Sequence, residues 1–179
     1  MLERGFEPWR QERFNWQCSL PRSAFARSQR FPAGPKVIRR LWRLPLKNTS
    51  ATLQGGLKAS EAQGTPISAK FEIEDGKLQL SIYTMKGNTF TEVVADPNTG
   101  AIKGAETIKE ADDLKQATAQ KAAMTKAKVP LLNAAETAVN ATAGFRAVSI
   151  YPQLQNGNPM AEVTLLQGTT FKKVMEKLD

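Results

Sequence analysis

Ile67-Ser68-Ala69-Lys70-Phe71-Glu72-Ile73-Glu74-Asp75-Gly76-Lys77-Leu78-Gln79-Leu80-Ser81-Ile82 is the stretch on which the fold turns. Ile67, Ala69, Phe71 and Ile73 alternate with Ser68, Lys70 and Glu72. A period of two places one set of side chains on each face, which predicts a half-buried strand. Asp75-Gly76 follows, a two-residue hairpin signal in which Gly tolerates positive φ. Leu78, Leu80 and Ile82 then alternate on a return strand. Upstream, Leu53, Leu57 and Ala62 lie at helical spacing, with Thr49-Ser50 as expected N-caps. Gly55-Gly56 weakens that helix by about 1 kcal/mol each against Ala. Gly64 suits its left-handed C-terminal position, and Pro66 prevents its continuation. Downstream, 85–88 reads as a turn, Thr89–Ala95 as a third strand, and Asp96-Pro97-Asn98-Thr99-Gly100 as a dense turn.

The same reading recurs 81 positions on, without a gap. Gly87-Asn88-Thr89-Phe90 falls on Gly168-Thr169-Thr170-Phe171, Gly76 on Gly157, Ser68 on Ser149 and Val93 on Val174. Only seven of 50 aligned positions are identical, so pattern rather than identity carries the match. Ile67, Ala69, Ile73 and Ile82 fall on Val148, Ile150, Leu154 and Val163. The second helix opens at Pro130, runs through Leu131, Ala135, Val139 and Ala143 on one face, and ends at Gly144. Strands follow at 147–154, 159–166 and 169–175, with Asn156-Gly157 and Gln167-Gly168 as turns. The predicted class is α+β: two helix–β-meander (αβββ) repeats with antiparallel three-stranded sheets. Pairing of the two into one larger sheet is favoured, because a unit of about 50 residues has a marginal core. The organisation expected is an arm over 1–47, a first repeat over 48–104, a connecting helix over 105–129 and a second repeat over 130–179.

A helix, a meander with an acidic-Gly hairpin and a last strand running into a turn, Glu92-Val93-Val94-Ala95-Asp96-Pro97-Asn98-Thr99-Gly100-Ala101-Ile102, resemble the PepSY family. The first match spans 67–102 and the second 148–175, where Glu176-Lys177-Leu178-Asp179 replaces the Asp-x-x-Thr-Gly turn. The resemblance implies a small module that inhibits or regulates peptidases by binding them. It also implies export to the bacterial envelope or the secreted space, with no catalytic residue and no cofactor.

Composition narrows the remaining classes. The formal charge is +8, yet residues 1–47 carry 11 basic and three acidic residues, and residues 48–179 carry 14 of each. The whole excess belongs to the arm. There is no His, which excludes Ser-His-Asp and Cys-His catalysis and His-ligated zinc. Cys18, the single Cys, forms no internal disulfide, and with no His to act as base it reads as incidental. No apolar run approaches the 18 residues of a transmembrane helix, and no secretory signal is visible because Arg39, Arg40 and Arg43 break 37–46. Trp9-Arg10, Arg13-Phe14 and Arg39-Arg40-Leu41-Trp42-Arg43 interleave cations with aromatics, which suits nucleic acid or an anionic membrane. The arm has neither the periodicity nor the composition of residues 48–179. A disordered tail, or a start site assigned upstream of the true one, is the preferred reading.

No residue is assigned a catalytic, cofactor-binding or metal role. Asp96-x-Asn98-x-Gly100 resembles the start of a calcium loop, but Ala101 and Thr107 stand where its sixth-position Gly and twelfth-position Glu belong, so a turn is expected. Glu110, Asp112 and Asp113 read as a solvated helix face. Asn48-Thr49-Ser50 and Asn140-Ala141-Thr142 are glycosylation sequons without expected use. Phe71, Tyr83, Phe90 and Phe171 read as core or strand-face residues. Without paired carboxylates on facing elements, an enzyme is not expected. The expected function is a non-enzymatic peptidase regulator. Its partner, a peptidase or an extended peptide, adds to a sheet edge at Thr89–Ala95 or 169–175. The alternatives are a structural α+β repeat protein, or nucleic-acid or membrane binding through the arm.

Overall fold

The computed structural model describes Leu46, residues 49–74 and residues 76–179. The expectations for Cys18 and the Arg-rich arm fall outside those residues. The elements in chain order are α1 (Leu53–Ser60), a 3-10 turn (Glu61–Gln63), β1 (Thr65–Glu74), β2 (Lys77–Lys86), β3 (Thr89–Ala95) and β4 (Ile102–Thr107). They continue with α2 (Ala111–Lys126), α3 (Leu131–Asn140), β5 (Arg146–Gln155), β6 (Asn158–Gln167) and β7 (Thr170–Lys177). The fold is α+β. Its seven strands form one antiparallel sheet in the order β4-β3-β2-β1-β5-β6-β7.

Hairpin chemistry sets the local pairing. Asn156 and Gly157 both take positive φ, 51° and 82°, the combination that matches a two-residue turn to the strand twist. β1 pairs with β2 from Glu74↔Lys77 outward, and β5 with β6 from Gln155↔Asn158. The first pairing slips between Pro66 and Ser68 and the second between Ala147 and Ser149, so the two bulges are 81 residues apart. Leu80↔Ala95 and Ala161↔Glu176 keep the same offset in the outer pairs. β1 and β5 meet antiparallel at Ala69↔Ile150 and Lys70↔Ser149. Ala69 and Ile150 are themselves 81 residues apart, so a twofold relation of the two registers passes between them.

One face of the sheet is apolar and covered by α1 and α3, which lie against each other. Phe71, Leu80, Ile82, Val93, Ile150, Val163 and Leu165 are fully buried there with Leu53, Leu57 and Ala135 of the helices. Each such side chain contributes about 1.5–3 kcal/mol against exposure. The cluster runs without a break across the β1–β5 junction.

Four differences from the sequence reading have physical causes. The first three-stranded meander acquires β4: residues 105–107 complete a strand in place of opening the connecting helix, which starts at Ala111. Ile102 and Thr107, both β-branched, bound that strand. The N-cap of α1 is Thr52, whose Oγ1 accepts from Gly55 N–H at 3.0 Å, because Thr49 and Ser50 turn their hydroxyls to Leu46 and Asn98 carbonyls. Gly64 takes φ 150°, ψ −179°, a glycine conformation that leads from the 3-10 turn directly into β1. Finally, β1 is buried on both faces: Ser68, Lys70 and Glu72 are at most 7% exposed. Helix α2 packs across β5, β6 and β1 on this second face. Its Gln120 Oε1 accepts from Ser68 Oγ at 2.8 Å, and its Ala117 packs with Ile67, Tyr83 and Phe90.

Candidate functional site

The edges of the sheet and its polar second face hold the side chains with unused or unusual chemistry. β3 is an interior strand, paired with β2 at Leu80↔Ala95 and with β4 at Thr91↔Thr107. The expectation of an edge at Thr89–Ala95 is therefore corrected: β4 occupies its outer side. The other expected edge stands, since β7 terminates the sheet opposite β4.

β7 presents Lys172, Lys173, Met175 and Lys177 to solvent. Lys173 Nζ reaches Glu162 Oε1 of β6 at 2.6 Å, an exposed pair of the kind that contributes about 0–1 kcal/mol. The strand is fixed just past its C-terminal end. Leu178 is fully buried and donates its N–H to Pro159 O at 3.0 Å. Its carbonyl accepts from Lys128 N–H at 2.6 Å and Val129 N–H at 3.0 Å. At the opposite edge, β4 exposes Ile102 and carries Lys103 and Glu106, one charge of each sign.

Asp96 opens the turn before β4. Its Oδ1 accepts from Asn98 N–H at 2.8 Å and Thr99 N–H at 2.9 Å, and its Oδ2 lies 2.6 Å from Lys103 Nζ. Both oxygens are committed to the chain, so the calcium-like spacing is the signature of an Asx turn. The Lys103 ammonium, followed by the two backbone N–H donors, holds this carboxyl below the usual carboxylate range.

The second face carries a buried polar layer. Lys70 Nζ, on the central strand, lies 2.6 Å from Glu72 Oε2 and 5.5 Å from the centre of the Tyr83 ring. Tyr83 Oη donates to Glu92 Oε1 at 3.1 Å, and these two residues face each other across β2 and β3. Burial, and then the Glu72 charge, raise the Glu92 carboxyl above its ordinary range. Burial, followed by the charges of Glu92 and Glu72, pushes the Tyr83 phenol well up. A one-residue slip of β1 would drive Lys70 into the apolar face, so the layer pins the register of the central strand.

Arg146, at the start of β5, is the single Arg among residues 48–179. One of its terminal nitrogens, NH1, donates to Leu46 O at 3.1 Å, Thr49 O at 3.2 Å and Thr49 Oγ1 at 2.9 Å, and the other, NH2, to Ala51 O at 2.6 Å. Its guanidinium sits 5.3 Å from the centre of the Phe71 ring. This planar fork ties the segment before α1 to the second half of the sheet.

The other expected positions divide between core and surface. Phe71 belongs to the main core, Tyr83 and Phe90 to the smaller cluster under α2, and Phe171 is half-buried against the main core. Asp112 is exposed as a solvated helix face requires, whereas Asp113 is buried on the sheet side of α2. Asn140 ends α3, and Thr142 lies just beyond it. Sequence reasoning missed β4, whose Ile102 and Thr107 were its available signal, and the Lys70 layer. A period-two strand with a polar second face looks the same whether solvent or a helix covers it.

Neither a family model nor a curated protein sequence matches the chain. Among solved structures, it is similar to a candidate lipoprotein of Clostridium difficile 630, at 13% identity and a TM-score of 0.39, over 68% of this chain and 80% of that one.

Proposed function

We propose that the chain is a non-enzymatic binding module of two PepSY-like units that regulates a peptidase in the bacterial envelope or the secreted space. The observation that carries this reading is the repeated register. Hairpin ends, bulges and outer-strand pairs all recur at the 81-residue offset at which the sequence aligns with itself. The meeting of β1 and β5 at Ala69↔Ile150 sits on the same offset. Seven identities alone would not support two copies of one unit; three independent features of strand pairing do. Inhibition then takes place at a sheet edge, where unpaired N–H and C=O groups accept an added strand.

The test is inhibition of peptidases from the envelope and the medium of the source organism by the purified chain. Saturable loss of one peptidase activity, with a complex of the two on gel filtration, is expected. No inhibition and no complex across the panel would overturn the reading.

A further inference from the structure

Resting on that reading of two equivalent units, we propose that the outer edge of β7 accepts an extended acidic strand from a partner protein. The strand lies antiparallel along 172–176, in the place that β4 holds on β3. The pairs Thr91↔Thr107, Glu92↔Glu106, Val93↔Ala105, Val94↔Gly104 and Ala95↔Ile102 describe that place in the first unit. The positions 81 residues on are Lys172, Lys173, Val174, Met175 and Glu176. Among the described residues, no strand covers them. The second unit is thus one strand short of the first.

The chemistry of the missing strand is dictated by the edge. Lys172 and Lys173 are adjacent, so they project to opposite faces and both faces are basic at that end. Two consecutive carboxylates in the partner answer both. Val174 and Met175 come next, and small or apolar residues suit them. Glu176 then calls for a cation. β4 itself has this order in the antiparallel sense: Lys103 near the position facing Glu176, Gly104-Ala105 in the middle, and Glu106 facing Lys173.

The edge is also ready to receive a strand. Tethering of Leu178 to Pro159 and to the segment between α2 and α3 holds β7 extended before any partner arrives, which lowers the ordering cost of pairing. A second copy is the poorer occupant. β7 against β7 opposes Lys with Lys over Lys172, Lys173 and Lys177. β4 against β7 is head-to-tail, does not close, and runs on into a filament.

The experiment titrates the full chain, 15N-labelled, with the acetylated peptide Thr-Lys-Val-Val-Glu-Glu-Thr and with its charge-reversed counterpart Thr-Glu-Val-Val-Lys-Lys-Thr. The expected result is saturable shifts confined to amides of β7 and its neighbour β6, with about tenfold preference for the acidic peptide from two matched cross-strand charge pairs. In the double variant K172E/K173E the preference reverses. Shifts centred on β4, equal affinity for both peptides, an unreversed preference in the variant, or self-association of the chain without peptide would each overturn the proposal. Peptide binding at β7 without inhibition of any peptidase removes the regulatory reading and leaves this one. Inhibition by a chain whose β7 takes no peptide does the opposite.

Discussion

Glu92 shows how far one side chain can be displaced from its ordinary chemistry by its place in a sheet. Its sequence context, Thr91-Glu92-Val93, reads as an outward polar residue of a strand. In the fold it faces Tyr83 and shares the second face with Glu72, and both burial and that charge raise its carboxyl. A raised folded value means that the native state binds the proton more tightly than the unfolded chain, whose carboxyl titrates near 4.5. The contribution of Glu92 to stability therefore grows as pH falls from neutral through the raised folded value, and levels off below the unfolded one. Glu92→Gln is expected to be more stable than the parent chain at pH 7 and to lose that advantage towards pH 4, as measured by urea denaturation across the range. An advantage that is absent at pH 7, or that grows on acidification, would contradict the assignment. Asp96 works in the other sense. Its carboxyl is held low by Lys103 and by two backbone donors, so its contribution is present above the ordinary aspartate range and is lost as pH falls through its lowered folded value. Comparing Glu92→Gln with the parent separates the two.

Two glycines of the first unit make opposite demands on the elements that hold them. Gly64 has φ 150°, and a Cβ there would stand 2.7 Å from Met85 O, a backbone atom that cannot move without disturbing β2. Gly104, in the middle of β4, has nothing within 4 Å of where a Cβ would lie. Gly64→Ala is expected to cost about 2–3 kcal/mol. Gly104→Thr should add about 0.5–1 kcal/mol, since a strand favours a β-branched residue over glycine. Thermal denaturation of the two variants checks both signs. The elements themselves were legible wherever a period and a turn residue coincided. Asn156-Gly157, Gly87 and Gly168 each sit between strands as their sequence implies. β4 was not legible, because Lys103-Gly104-Ala105-Glu106 has the residues of a helical linker and pairing with β3 overrides that preference. The candidate edge was half legible. β7 was identified as an exposed strand, but the choice between β7 and β3 depended on whether anything followed β3 in space.

At the scale of the whole molecule, the β1–β5 junction is narrow in backbone pairing and broad in packing. Only Ala69↔Ile150 and Lys70↔Ser149 pair across it. Yet Phe71, Val148, Ile150 and Ala69 belong to one buried cluster with α1 and α3, and Arg146 of the second half holds carbonyls of Leu46, Thr49 and Ala51 in the first. A unit of roughly 60 residues buries too little surface to stand securely alone. Residues 46–109 and 110–179, made as separate chains, are therefore expected to lack a cooperative thermal transition individually and to regain one when mixed. Two independent transitions in the separate chains would show that the junction is dispensable. The cut belongs between β4 and α2, a position that the sequence reading, with its boundary at 104, would have placed inside a strand.

The same junction bears on how the chain reaches its native state. Every other strand pair joins neighbours in sequence, and each forms from a short turn. β1 and β5 alone must find each other across some 80 residues, a search whose loop-closure entropy slows folding more than any hairpin. Until they meet, each half exposes a strand whose complement is supplied equally well by another molecule. At high concentration, refolding chains are therefore prone to exchange halves, with the segment around α2 as the hinge and every native contact preserved in the entangled pair.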